Sequence, residues 1–266
     1  MSVFQLQQGR VPLLISLPHV GTEIPAELAG RLVPRALASE DSDWHLERLY
    51  RPLAEALGAS LIVPRYSRYV IDLNRPPDDR ALYPGAAGGT GLVPTRFFTD
   101  EPLYRDGAVP DAAEVAARRE AYWQPYHDAL AAELARLRAA HGHALLFDGH
   151  SIRSELPWLF DGQLPALNLG TADGAACAPG ITERLAALLA GQARFSHVVN
   201  GRFKGGYITR HYGRPDAGQH AVQLEMCQRC YMDETAEPSG AYDEHGAASV
   251  APLIEQLLRE MLAWEP

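Results

Sequence analysis

The 266-residue sequence predicts an α/β fold around a mostly parallel or mixed central sheet. Three observations carry that expectation. Short, nearly unbroken apolar runs alternate with segments of helical periodicity, the arrangement of chains that bury a sheet between helices. Those runs end in small or polar residues, as strands covered on both faces do. Hydrophobic residues make up 47% and charged residues 21%, enough apolar material for a large core. No internal repeat or composition break divides the chain, so residues 1–266 are expected to form one domain.

The elements follow in order. "VPLLISLPH" (11–19) reads as a buried strand. "DWHLERLYRPLAEALGA" (43–59) carries Leu46, Leu49, Tyr50, Leu53 and Leu57 at helical spacing, with Asp43 placed to cap its start. "SLIVPRYSRYVIDLN" (60–74) supplies one or two strands, with Val70 and Ile71 closing a buried one. Asp72, Asn74 and Arg75 then stand at a strand end, stiffened by Pro76 and Pro77, which neither donate to a sheet nor continue a helix. Residues 81–110, including "YPGAAGGTGLVPTRFF", are too long for a simple connector and read as a candidate active-site loop. Residues 111–142 predict a long helix kinked at Pro125. "ALLFDGHS" (144–151), "PALNLGT" (165–171) and "HAVQLEM" (220–226) read as further strands, and 181–192 and 251–264 as amphipathic helices.

Charge and composition exclude several classes of function. A net charge of −9 argues against a nucleic-acid footprint or a polybasic membrane patch. The N-terminus lacks the charged region and small-residue cleavage site of a secretion signal. No apolar run approaches the roughly 18–20 residues that span a bilayer. The expectation is a cytoplasmic protein acting on a small molecule. Cys177, Cys227 and Cys230 are too few for a disulfide framework, and "CQRC" has no second pair to close a zinc site. They read as buried or half-buried structural thiols.

The remaining polar residues fall where an α/β sheet places its chemistry, outside the carboxyl ends of strands. His19 follows the first apolar run, Asp148 and His150 end "LLFDGHS", and Glu225 sits late in "AVQLEM". A lone histidine is more often structural than a ligand. Two histidines and an acid, each after its own apolar strand, are a less ordinary coincidence. Two imidazoles and one carboxylate with an open fourth position make the ligand set of a catalytic zinc.

Six blocks in order, "PHVGTEIP", "DSDWHLERLY", "SRYVIDLNRPP", "LFDGHSIRS", "GRFKGGYITRHYGRP" and "HAVQLEMCQRCYM", resemble the N-formylglutamate amidohydrolases of bacterial histidine degradation over nearly the whole chain. That resemblance implies a three-layer, zinc-carboxypeptidase-like sandwich and zinc-dependent hydrolysis of a formyl amide to formate and L-glutamate. Cobalt or iron could stand in for zinc. The implied metal ligands are His19 and His150, with Asp43 favoured as the third. Glu23 is the alternative, although it follows His19 by four residues where the related peptidases place their acid after three. Asp148 is a candidate to orient a ligating imidazole, and His45 is expected on the helix surface or behind the ligands.

Glu225 is the expected proton carrier, because it corresponds to an acid on a late strand of the related enzymes. A substrate with two carboxylates calls for guanidinium partners, which grip a carboxylate with two parallel hydrogen bonds. Arg68, Arg75 and Arg210 are the candidates, with Asn74 completing a carbonyl or carboxylate contact. Arg75 is best placed by analogy with the aspartoacylase group, whose motif "DLNR" resembles. The paired glycines Gly205 and Gly206 allow backbone to approach a ligand closely. Two rivals remain: another zinc acyl-amino-acid hydrolase of aspartoacylase or desuccinylase type, and a non-catalytic binding protein on the same fold. Oligomeric state is not legible.

Overall fold

The computed structural model describes residues 2–81, 90–236 and 240–266. In chain order its strands are β1 (Phe4–Gln7), β2 (Leu13–Ser16), β3 (Ser60–Pro64), β4 (Ala144–Ile152), β5 (Leu167–Gly170), β6 (His197–Val199) and β7 (Gln219–Cys227). Its α-helices are α1 (Ala26–Ala29), α2 (Leu46–Leu57), α3 (Ala112–Arg118), α4 (Gln124–His141), α5 (Pro179–Ala190), α6 (Tyr207–Tyr212) and α7 (Glu244–Leu262). The strands form one sheet in the order β1-β3-β2-β4-β7-β5-β6. β3, β2, β4 and β7 run parallel, while β1 pairs antiparallel with β3 and β5 antiparallel with β7. The sheet is therefore mixed, with its parallel part at the centre.

Every residue of β2, β3, β4 and β7 is buried, which explains why these strands read as continuous apolar runs. Side chains alternate between two cores. Leu13, Ile15, Leu145, Phe147, Val222 and Leu224 pack with residues of α2, α5 and α7. Leu14, Ile62, Leu146 and Ala221 pack with Leu130, Leu134 and Leu137 of α4 and Ile208 of α6. Helices thus cover both faces, giving the three layers. Period-2 alternation carries Asp148, His150, Gln223 and Glu225 to the α4 and α6 face, together at the carboxyl ends of β4 and β7, where Asp148 pairs Gln223 and His150 pairs Glu225.

Several sequence expectations are corrected. Residues 70–74 are buried but form no strand. The Asp72 carboxylate accepts from the backbone N–H of Asn74 at 2.8 Å, and the Asp72 N–H donates to Leu92 O at 2.7 Å. Such a side-chain bond to local backbone competes with ladder pairing. The long helix is interrupted not at Pro125 itself but just before it, by a π-helical turn at Arg119–Trp123. Pro125 then occupies the first turn of α4, where its missing N–H costs little. Helix α2 begins at Leu46 with left-handed His45 at its cap position (φ 61°), so Asp43 does not cap it. α7 starts at Glu244, seven residues before the expected 251, capped by Asp243, which accepts from His245 N. The short edge strands β1 and β6 and the six-residue helix α6 went unread. Part of the Gly/Pro-rich candidate loop, residues 82–89, lies outside the described residues; Thr90, Gly91 and Phe98 of its remainder border the main cavity.

Candidate metal and substrate site

His19, Asp43 and His150 converge from three segments. His19 follows β2, His150 lies in β4, and Asp43 is held below His19 by its own N–H donating to His19 O at 2.9 Å. All three are buried, and their possible ligand atoms lie within 4.8 Å of one another, so the cluster could hold a metal ion. The two imidazole centroids are 4.9 Å apart. His150 Nδ1 is 3.4 Å from Asp43 Oδ2, and that oxygen, buried, has no hydrogen-bond partner among the described residues. A buried carboxylate oxygen left unsatisfied beside two imidazoles is costly without a cation. The donor set of two nitrogens and one oxygen suits a transition metal of the zinc kind. Because Asp43 is released from capping α2, its carboxylate is available for this cluster.

Each histidine has a carboxylate behind it. His19 Nε2 lies 2.8 Å from Asp72 Oδ1, while Arg68 Nη2 donates to Asp72 Oδ2 at 2.6 Å. His150 Nε2 lies 3.1 Å from Asp148 Oδ2. This is the arrangement that orients a ligating imidazole. Burial and the neighbouring Arg68 hold the His19 pKa below its usual value, against the pull of Asp72 and Asp43, so its ring is neutral near pH 7. Burial resists charging His150 as well, but Asp148 and Asp43 overcome it and raise its pKa well above the ordinary histidine value. Asp72 stays ionised: burial opposes its charge, and His19 and Arg68 hold its pKa well below the carboxylate range. Glu225, beside His150 across the β4–β7 ladder, is pushed up to about 8 by burial, with Asp43 adding to the rise. Carboxylates thus crowd one buried spot and raise the proton affinity of their neighbours, an excess of negative charge that a cation would offset.

A cavity of about 620 Å³ opens over this cluster, lined by His19, Asp43, His150, Glu225 and Gln223 together with Arg68, Arg75, Arg80 and Arg202. Its size suits a small metabolite. Arg68 borders the cavity but is committed to Asp72. Arg75 lies about a quarter exposed, 4.0 Å from Asp72, and its buried Nε has no hydrogen-bond acceptor among the described residues. Asn74 also borders the cavity, and both ends of its amide have protein partners: Oδ1 accepts from Ile208 N at 2.8 Å and Nδ2 lies 2.9 Å from His150 Nε2. It joins the 68–80 loop to α6, and Gly206 is required there, because a Cβ would sit 2.3 Å from Asn74 Nδ2.

Other expected residues fall elsewhere. Arg210 is not among the cavity's lining residues; its Nε donates to Gly205 O at 2.9 Å. Positions 208, 209 and 212 of α6 face the core, which leaves 210 on the helix's outer side. Glu23 is half exposed and paired with Arg65 at 2.7 Å, away from the cluster. His45 Nε2 meets Gly240 O at 3.0 Å. The three cysteines are buried and free, and burial pushes the Cys227 and Cys230 thiols up to about 12 and about 11, which keeps both protonated. Sequence reasoning did not single out Gln223, Arg80 or Arg202. Gln223 stands two residues before Glu225 and could have been found by extending the strand's alternation backwards.

Comparison with known proteins then places the chain. A family model described as N-formylglutamate amidohydrolase matches residues 11–232. An N-formylglutamate deformylase of Pseudomonas aeruginosa is 52% identical over 98% of this chain and 97% of its own length. One of Pseudomonas putida is 50% identical over 98% of this chain and 96% of its own. The crystal structure of an N-formylglutamate amidohydrolase from Ralstonia eutropha JMP134 superposes with a TM-score of 0.81 at 26% identity, covering 98% of this chain and 97% of that one.

Proposed function

This chain belongs to the N-formylglutamate amidohydrolase family, and from that premise we propose that it hydrolyses N-formyl-L-glutamate to formate and L-glutamate in histidine degradation. In this reading His19, Asp43 and His150 hold a divalent ion, zinc foremost. The observation that carries it is the buried Asp43 oxygen that faces two imidazoles and has no hydrogen-bond partner among the described residues. The ion would act as a Lewis acid toward the formyl carbonyl and activate water for attack.

The chain's own groups supply the rest. As water's oxygen bonds to the formyl carbon, Glu225 takes a proton from it. When the C–N bond breaks, Glu225 returns that proton to the departing nitrogen, leaving the amine of L-glutamate and free formate. Its raised proton affinity matches the second half of that task, and an ion held by His19, Asp43 and His150 would offset it in the first. Asp72 and Asp148 fix the two imidazoles. Arg75, which borders the cavity and whose Nε has no acceptor among the described residues, takes a substrate carboxylate, while Arg68 acts through Asp72. Arg80 and Arg202 at the mouth draw in a dianion.

The test couples metal and substrate. The purified protein should carry about one zinc per chain by elemental analysis, lose activity to a chelator and regain it with added zinc. A panel of formyl, acetyl and succinyl derivatives of Glu and Asp should show N-formylglutamate preferred. Glu225→Gln should keep the metal and lower kcat by roughly 10²- to 10⁴-fold. Near-normal turnover in that variant would remove Glu225 from the mechanism, and preference for a succinyl substrate would overturn the assigned reaction.

A further inference from the structure

We infer that Gln223 is a specificity-determining residue, its side-chain amide donating a hydrogen bond to a carboxylate of the bound substrate. The inference rests on the proposed function above and names a contact that the family resemblance did not supply. Gln223 lies in the middle of β7, is 4% exposed and borders the main cavity. Its direction is determined, because Oε1 accepts from the backbone N–H of Gly206 at 2.7 Å. An N–H can meet only the oxygen end of an amide, so the NH₂ end is turned the other way. No described residue accepts a hydrogen bond from that Nε2. A residue that served only to anchor Gly206 would need an acceptor alone; here the two donors of the opposite end have no acceptor among the described residues, on a side chain that borders the cavity.

The chemistry of the ligand follows from position. Glu225 is two residues further along the same strand on the same face, so the two Cα atoms are separated by roughly 6.6 Å. That separation sets the Gln223 amide apart from the scissile amide, which Glu225 serves. The cavity's remaining demand is the recognition of carboxylates, each with about four lone-pair sites, more than one guanidinium fills. Arg75, Arg80 and Arg202 bring charge, and Gln223 adds a donor of fixed direction that does not increase the site's affinity for anions in general. Direction, rather than charge, separates one carboxylate geometry from another.

Two variants test the inference. Gln223→Glu keeps the shape and the acceptor for Gly206 but turns the donor into an oxygen. Gln223→Met keeps length and loses both. Each is assayed for zinc content and melting temperature, and kinetically on N-formyl-L-glutamate, N-formyl-L-glutamine and the α-amide of N-formyl-L-glutamate. We expect both variants to raise KM for N-formylglutamate about tenfold or more, with kcat and zinc content nearly unchanged. On whichever amide lacks the carboxylate that Gln223 contacts, the increase should shrink to less than about threefold. A normal KM in Gln223→Glu beside an impaired Gln223→Met would assign Gln223 to holding Gly206 and overturn the inference, as would equal losses on all three substrates. If the wild type does not hydrolyse N-formylglutamate, the proposed function itself falls, a result distinct from either.

Discussion

Under helix α4, His127 has both ring nitrogens engaged. Nε2 donates to Leu73 O at 2.9 Å, and Nδ1 therefore accepts from the Tyr212 hydroxyl at 3.0 Å. Trp123 stacks on the same ring at 3.7 Å. At the carboxyl ends of β2 and β4, His19 and His150 are just as buried, yet each offers a nitrogen toward Asp43, whose Oδ2 has no hydrogen-bond partner among the described residues. Both regions sit against the 68–80 loop, and both use histidine. One has its polar valences closed by the protein, and the other leaves them open in one small volume. Burial alone does not separate a structural histidine from a ligand; the unclosed valence does.

The largest expected effect breaks the open region at its support. Asp72 accepts from His19, Arg68 and the Asn74 backbone at once. Asp72→Asn leaves a single acceptor oxygen and places an NH₂ against donors, which frees the His19 ring. Metal affinity should fall roughly 10- to 100-fold, read by competition with a calibrated chelator. His127→Gln, in the closed region, should leave that affinity unchanged. If the two variants behaved alike, the distinction drawn between the regions would fail.

A smaller effect sharpens the closed region. Burial pushes the His127 pKa down to about 3, below the ordinary value near 6.5 of the unfolded chain. With the folded pKa the lower one, the unfolded state binds the proton more readily. The contribution of His127 to stability is therefore fully present above about pH 6.5 and is lost as pH falls from there toward 3. In that window it should cost about 1.4 kcal/mol per pH unit. Urea unfolding at pH 7, 6, 5 and 4 should show His127→Gln less stable at pH 7 but with a shallower decline. A variant curve parallel to the wild type would mean that His127 is not the neutral, closed residue described.

The same contrast explains what the sequence disclosed. Strands β2, β4 and β7 were legible because burial on both faces imposes a continuous apolar run, and the metal-cluster histidines were legible because they end such runs. Residues 70–74 misled for a related reason. Val70 and Ile71 are 0% and 3% exposed, as apolar as any strand, but the side chain of Asp72 takes the backbone bond that a ladder would have used. Strands β1 and β6 are a four- and a three-residue edge, too short for periodicity to register. Asp43 was reached only through resemblance, since its position two residues before a left-handed His45 leaves no pattern that local propensity could read. Asn74, expected to touch substrate, does border the cavity, and its amide also joins His150 to α6, a tertiary contact across 134 residues that no local signal carries.

Two arginines divide along the same line, and the smallest expected effect belongs to one of them. Arg75 borders the cavity with a buried Nε that has no acceptor among the described residues, whereas Arg210 is not among the lining residues and its Nε already donates to Gly205 O. A lysine at either position keeps the charge but loses the planar fork. At Arg75 the missing charged hydrogen bond should lower kcat/KM for N-formylglutamate by about 1.5–3 kcal/mol, roughly ten- to a hundredfold. At Arg210, although its block "GGYITRHYG" marks it as a carboxylate partner, the loss should stay within about twofold, because the helix turns position 210 away from the core-facing residues 208, 209 and 212. Steady-state kinetics on both variants decide the matter. A tenfold rise in KM for Arg210→Lys would show that α6 reorients when substrate enters, and would move Arg210 from the closed set of contacts to the open one.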